Sequence, residues 1–247
     1  MRVAEGRFVV EGPQAVREAL PALLELFVDP GGAAGHADLV RAAPCPVTTV
    51  TTDVLAAIAQ TVTPQGIVGV APLLDVPLAQ ALGAGPALVA VLESVSDPGN
   101  AGSVIRTADA AGAGAVVLTE GSTDPHGGKC VRATAGSLWH LPVVSGPGVG
   151  EAIDALRLAG LRVLATTGTG TASLDDLLDS GELVAPTAWL FGSEATGLTQ
   201  TALHLADRTV RIPVHGRAES LNLAAAAAVC LYASARAQRR REPQMRR

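Results

Sequence analysis

The stretch IPVHGRAESLNLAAAAAVCLYASARAQRRR, residues 212–241, decides how the rest of the chain is read. An apolar strand over 209–214 runs into it and breaks at Pro213 and the glycine-containing loop 215–219. Ser220 stands where a helix N-cap belongs, because its hydroxyl can accept from a backbone N–H of the first turn. Behind it, the alanine run 224–228 combines high helix propensity with almost no side-chain bulk, so other backbone can lie close against it. Polar Ser220 and Asn222 enter that setting beside Leu221 and Leu223. Two readings fit: a capped core helix, or a binding site built against tight packing.

Upstream, continuous apolar runs recur at 87–92, 115–118, 141–144, 161–165 and 188–191, as in strands covered on both faces. Helical segments at 99–111, 128–138, 149–159 and 199–205 fall between several of them. This alternation predicts an α/β fold with a mostly parallel sheet and helices on both faces, where ligands sit at the carboxyl ends of the strands. Three strand ends are unusual. One is ESVSDPGNAG (93–102), in which Asn100 can cap the helix that carries Arg106 two turns in, amid Val104, Ile105 and Ala108. An arginine so placed is either a snorkelling surface residue or a guanidinium held for a purpose. The second is WLFGSEATGL (189–198), where Gly192 lets backbone approach a flat ligand and Glu194 can fix an arginine or accept from hydroxyls. The third is 212–222. A G-x-G-x-x-G fingerprint at the first βα turn, a P-loop and a G-x-S-x-G elbow are all missing, which counts against a dinucleotide oxidoreductase, a P-loop NTPase and a serine hydrolase.

The first 70 residues alternate short strands and helices. Strands are expected at 8–10, 24–28, 47–50 and 67–70, helices at 13–20, 36–42 and from a Thr52 or Asp53 cap to 59, with a turn at Asp29-Pro30-Gly31-Gly32. This unit carries no cluster of catalytic residue types. Residues 73–85, rich in Pro, Ala and Gly, read as a linker with a possible short helix near 77–82. The expected division is therefore 1–72, 73–85 and 86–247.

Composition bounds the rest. With 48% apolar and 17% charged residues the chain can bury a large core, and with only six aromatics Ala, Val and Leu must fill it. No run of about 18 apolar residues lacks a turn signal or a charge, and MRVAEGRFVVEG lacks a signal-peptide core, so a cytoplasmic protein is expected. Cys45, Cys130 and Cys230 have no metal-ligand spacing and read as free thiols. The net charge of −5 argues against indiscriminate coating of nucleic acid. Arg236, Arg239, Arg240, Arg241, Arg246 and Arg247 nevertheless cluster at the C-terminus, as a solvated tail or an RNA contact.

Taken together, DPGNAGSVIRTADAAG, LFGSEATGL and IPVHGRAESLNLAAAAAV resemble, in order, the three motifs of the SpoU (TrmH) family within the SPOUT superfamily. RFVVEGPQAVREAL and TPQGIVGV are similar to that family's small L30e-like substrate-binding domain. The resemblance covers nearly the whole chain and implies an S-adenosylmethionine-dependent RNA ribose 2′-O-methyltransferase, with a C-terminal trefoil knot that binds the cofactor, acting as a homodimer through the C-terminal domain. Carried over by motif position, Asn100, Arg106, Glu194, Ser220 and Asn222 match the polar active-site set. Thr167, Gly168, Leu190, Gly192, Ile212 and Leu221 match cofactor positions; no metal is implied. The basic leader often found before the substrate domain is not seen here, which leaves part of the RNA footprint open. The expected substrate is ribosomal RNA, with tRNA and a non-catalytic RNA-binding role as alternatives.

Overall fold

The computed structural model of the chain describes residues 5–59, 61 and 63–245. Arg246 and Arg247 of the basic cluster lie outside the described residues, as do the side chains of Arg240 and Arg241.

Eleven strands form two sheets among the described residues. The first joins β1 (Arg7–Glu11), β4 (Ile67–Pro72), β2 (Glu25–Val28) and β3 (Val47–Thr49) in that order; β4 is antiparallel to both neighbours and β2 is parallel to β3. Its helices are α1 (Pro13–Ala19), α2 (Pro30–Gly35), α3 (Ala37–Ala42) and α4 (Thr52–Ile58). The expected turn at Asp29-Pro30-Gly31-Gly32 is instead the start of α2. Asp29 caps it by accepting from the Gly32 N–H at 2.7 Å, and Pro30 fills the first position, where no N–H is needed. Thr51, rather than Thr52 or Asp53, caps α4.

The second sheet holds β5 (Leu88–Glu93), β6 (Ala115–Leu118), β7 (Val143–Ser145), β8 (Arg162–Thr166), β9 (Ala172–Ser173), β10 (Thr187–Gly192) and β11 (Arg208–Arg211), in the order β7-β6-β5-β10-β8-β11-β9. All its pairings are parallel. Side-chain alternation along β5 divides the core: Leu88, Ala90 and Leu92 join one apolar cluster, Val89 and Val91 the other. The first cluster is covered by α6 (Pro98–Ala111), α7 (Gly128–Thr134) and α11 (Leu223–Met245). The second is covered by α5 (Leu78–Leu82), α8 (Val149–Leu158) and α10 (Gln200–Leu205). Helix α9 (Leu174–Asp179) follows β9. Although β8 and β9 are consecutive in sequence, β11 lies between them. Trp189 in β10, fully buried, donates its indole N–H to Ser234 of α11 at 2.9 Å and so locks that helix onto the sheet.

The segment between the sheets is pinned. Val76 donates to Val143 O at 3.1 Å at the sheet edge, and the Leu74 N–H donates to Nε2 of His126 at 3.0 Å. That donation leaves the imidazole proton on Nδ1, which faces Asp75 at 3.4 Å and Asp124 at 3.6 Å. Phe8 of β1 packs on His126 and on Trp139, with ring centroids 4.8 and 5.8 Å apart. Arg132 reaches the nearly buried Glu11 at 3.1 Å. The core of the first sheet is thus continuous with one face of the second.

His140 completes this junction. Its Nδ1 lies 2.8 Å from Asp109 of α6 and its Nε2 3.3 Å from Glu18 of α1. The Asp109 carboxylate first, and Glu18 next, raise its pKa above the ordinary imidazole value. A raised folded-state pKa gives stability that is fully present below the unfolded value and is lost as pH climbs through the folded one. The stability advantage of the wild type over His140→Gln is therefore expected to be largest at about pH 6 and to shrink by about pH 9. Urea midpoints at several pH values measure it, and an advantage that grew with pH would contradict the assignment.

Candidate functional site

The carboxyl ends of β8, β10 and β11 and the entry to α11 enclose a cleft of about 740 Å³. Gly192 ends β10 and is followed by a tight loop in which the Gly197 N–H donates to Ser193 O at 2.8 Å. A Cβ on Gly192 would sit 2.3 Å from the Gly197 carbonyl carbon, so only glycine lets the two passes of the loop lie this close. The loop after β8 is held against β11: Thr167 N–H donates to Val210 O at 2.9 Å, and Arg211 donates to Gly170 O at 3.1 Å. Strand β11 ends at Arg211, short of the expected Val214, and residues 212–222 continue as the outer wall.

Thr167, Gly168, Gly192, Glu194, Ile212, Ser220, Leu221 and Asn222 all line this cleft. Leu190 does not: it is fully buried in the sheet, and its carbonyl accepts from the Thr166 hydroxyl at 2.8 Å. Arg106 is exposed on α6 and is outside the lining. Asn100 joins through hydrogen bonds. The expected caps move by a few residues, and the shift has a chemical consequence. Asp97, not Asn100, caps α6, accepting from the Asn100 backbone N–H at 2.8 Å with Pro98 behind it. The bond from Lys129, then that from the Asn100 N–H, holds the Asp97 carboxyl below the usual carboxylate range. Asn222, not Ser220, caps α11, its Oδ1 accepting from Ala224 and Ala225 N–H at 2.9 and 3.4 Å.

These caps orient a relay. Because Oδ1 of Asn222 faces helix N–H donors, its Nδ2 must point away, and it donates to Oδ1 of Asn100 at 3.1 Å. The Nδ2 of Asn100 in turn donates to the Glu194 carboxylate. Backbone at one helix end thus sets the direction of every bond up to an exposed carboxylate at the cleft mouth, an arrangement suited to orienting a hydroxyl-bearing ligand.

The charged lining comprises Glu194, Glu219 and Arg211, and Arg211 is engaged with Gly170 O. Phe191, Leu198, Ile212, Leu221 and Leu223 supply apolar wall. The sequence reading assigned no role to Arg211 or Glu219, although both flank residues it singled out. Arg239 is not simply a solvated tail residue, since it donates to Ala111 O at 3.4 Å at the end of α6. Burial pushes the Cys130 thiol up to about 12 and raises that of Cys230 as well, so both are inert at neutral pH. Among the described residues no group of three or more His, Cys, Asp and Glu side chains is arranged to hold a metal. No helix among them is long and apolar enough to cross a membrane.

Known proteins resemble this chain in sequence and fold. Residues 87–232 match the SpoU rRNA Methylase family, and residues 1–69 match an MRM3-like substrate binding domain. The chain is 34% identical over 233 residues to the 23S rRNA (guanosine(2553)-2′-O)-methyltransferase RlmP of Bacillus subtilis, covering 94% of this chain and 89% of that protein. It is 40% identical over 144 residues to a 23S rRNA (uridine(2479)-2′-O)-methyltransferase of Streptomyces viridochromogenes, over 57% of this chain and 50% of the relative. The crystal structure of the SpoU methyltransferase AviRb from the same organism, in complex with the cofactor AdoMet, superposes with a TM-score of 0.84 at 30% identity, covering 97% of this chain and 93% of the other. From the parallel sheet to the three strand-end motifs around one cleft, and along nearly its whole length, this chain belongs to the SpoU rRNA methylase family.

Proposed function

We propose that this protein transfers a methyl group from S-adenosylmethionine to a ribose 2′-hydroxyl of ribosomal RNA. The observation that carries the reading is the Asn222–Asn100–Glu194 relay at the mouth of a cleft lined by eight of the eleven predicted site residues. Two relatives, matched over 94% and 57% of this chain, are named for 23S rRNA, which favours that substrate over tRNA. In this reading residues 1–72 bind RNA, residues 73–85 join the two parts, residues 86–247 carry out the transfer, and the protein works in the cytoplasm.

The cleft fits the cofactor. Apolar Leu198, Ile212 and Leu221 suit an adenine ring, and the carboxylates of Glu194 and Glu219 suit a ligand bearing sulfonium and ammonium charge. A dinucleotide pyrophosphate would meet those same carboxylates as like charge. When bound, S-adenosylmethionine supplies an electrophilic sulfonium methyl. The loop at Thr167 and Gly168, with Gly192, Ile212 and Leu221, would hold it, while Leu190 contributes from within the sheet by fixing Thr166. Glu194, Asn100, Asn222 and Ser220 would orient the ribose. Arg106 would stabilise negative charge on the attacking 2′-oxygen; a guanidinium with pKa above about 12 does not act as the base. A substrate phosphate or water would take the proton.

Arg106 lies outside the cleft of its own chain, so this role calls for a second copy. Helix α11, packed beside α6, exposes Val229 and Tyr232, with Leu221 ahead of them. A two-fold contact through that stripe would bring the Arg106 of each copy towards the other's cleft. Insertion of β11 between β8 and β9 supports the knotted path that the three motifs imply.

Calorimetry is expected to find binding of S-adenosylmethionine or its demethylated product and none of NAD. Incubation of 23S rRNA with labelled cofactor should then place label on a ribose 2′-oxygen. Binding of NAD without S-adenosylmethionine would overturn the reading.

A further inference from the structure

Glu93 is a carboxylate only 2% exposed, at the end of β5, with no part in the relay. Its backbone stands in register with Gly192, the residue that opens the loop carrying Glu194. Its side chain reaches the other end of the same loop: Oε2 accepts from the Thr199 N–H at 2.9 Å and Oε1 from the Thr199 hydroxyl at 2.6 Å. One residue thereby holds both ends of the segment 192–199. Between them the loop is closed on itself by the Gly197–Ser193 bond and projects Glu194 towards Asn100.

We infer that Glu93 is a positioning residue for methyl transfer: it clasps the 192–199 loop so that Gly192 and Leu198 form the cleft wall and Glu194 meets Asn100. This rests on the proposed function for its consequence, but the clasp itself is a property of the chain. Both donors are on one residue, and the Thr199 hydroxyl also accepts from Ala202 N–H at 3.1 Å, so the clasp fixes the first turn of α10 as well. A backbone N–H can only donate, whereas a hydroxyl can turn and accept. A glutamine at 93 can therefore keep both bonds, its oxygen on the Thr199 N–H and its amide on the hydroxyl. Aspartate, one methylene shorter, cannot span the gap.

The test is a graded series on the full-length protein: Glu93→Gln, Glu93→Asp, Glu93→Ala, Thr199→Ser and Thr199→Val. The probes are S-adenosylhomocysteine binding, single-turnover methylation of 23S rRNA, and amide hydrogen exchange without ligand. Glu93→Asp and Glu93→Ala are expected to weaken binding and slow transfer by about tenfold to a hundredfold, the loss that follows when a buried, charge-assisted pair is broken. Exchange should accelerate at 193–199 and stay unchanged in β5 and β10. Glu93→Gln and Thr199→Ser should recover most of each property. Thr199→Val, at an exposed position, keeps the test decisive if Glu93→Ala does not fold. Glu93→Gln as impaired as Glu93→Ala, or Thr199→Val with wild-type loop protection and binding, would overturn the inference. If the wild type binds no S-adenosylhomocysteine, the functional reading fails, and exchange at 193–199 alone still judges the clasp.

Discussion

Arg106→Ala is expected to slow single-turnover methyl transfer about 10²–10³-fold, the usual loss when a preorganised charge-stabilising donor is removed from a reacting oxygen. Cofactor affinity should stay unchanged, because Arg106 would act on the RNA 2′-oxygen and not on the cofactor. An interaction made only as charge develops lowers the barrier without strengthening ground-state binding. Arg106→Lys should restore little, since a point charge does not reproduce the planar fork. Arg106 is exposed on α6, so truncation removes no core contact and the variant should fold normally. The origin of the arginine is tested by complementation with Gly192→Val, whose side chain would collide with backbone at Gly197 and spoil the cleft. Each variant alone should be nearly inactive. Mixed dimers contain one site with an intact cleft and a partner's intact Arg106, so an equal mixture should recover roughly a quarter of wild-type activity. Near-normal turnover of Arg106→Ala at saturating RNA would remove the residue from the reaction. Absence of recovery on mixing would return it to its own chain.

The paired substitution Val229→Glu and Tyr232→Glu should have an effect as large by a different route. Both side chains are exposed, 42% and 52%, so neither supports the core of a single chain. On the proposed two-fold contact each would place a carboxylate against apolar surface, where an unpaired buried charge costs about 3–5 kcal/mol. Light scattering should report a monomer at micromolar concentration. Methyl transfer should fall as far as in Arg106→Ala, while S-adenosylhomocysteine still binds the cleft built by one chain. A variant that stayed dimeric would show that the contact lies elsewhere; a fully active monomer would remove the need for a second copy.

Strands 88–93, 115–118 and 187–192 were legible because burial on both faces leaves an uninterrupted apolar run, which surface strands do not show. The shorter β9 and α9 gave no comparable signal. The helix start at Asp29-Pro30 read as a turn because glycines follow it; Gly32 is required because α2 lies against Gly66, where a Cβ on Gly32 would collide with the Gly66 carbonyl. Ser220 and Asn100 carry the right chemistry for caps, but Asn222 and Asp97, two and three residues away, make the capping bonds, and sequence alone does not rank neighbouring candidates. Eight of the eleven expected site residues were brought to one cleft. The relay was not legible, because its links join residues 94 and 122 positions apart and depend on which way two amides face. The position of Arg106 outside its own cleft could not be read from a helical pattern that fits an exposed or a buried arginine equally.

The junction of Leu74, Asp75, His126 and Phe8 has a consequence for what this protein can select. A flexible tether would let the first sheet and the cleft meet an RNA independently and would tolerate many separations between the gripped element and the target nucleotide. With the tether fastened to both, that separation is a constant of the molecule. On the proposed function, only an RNA whose own fold sets a ribose at the matching span would occupy both at once, so the protein would act as a calliper, and tertiary architecture would discriminate where base sequence need not.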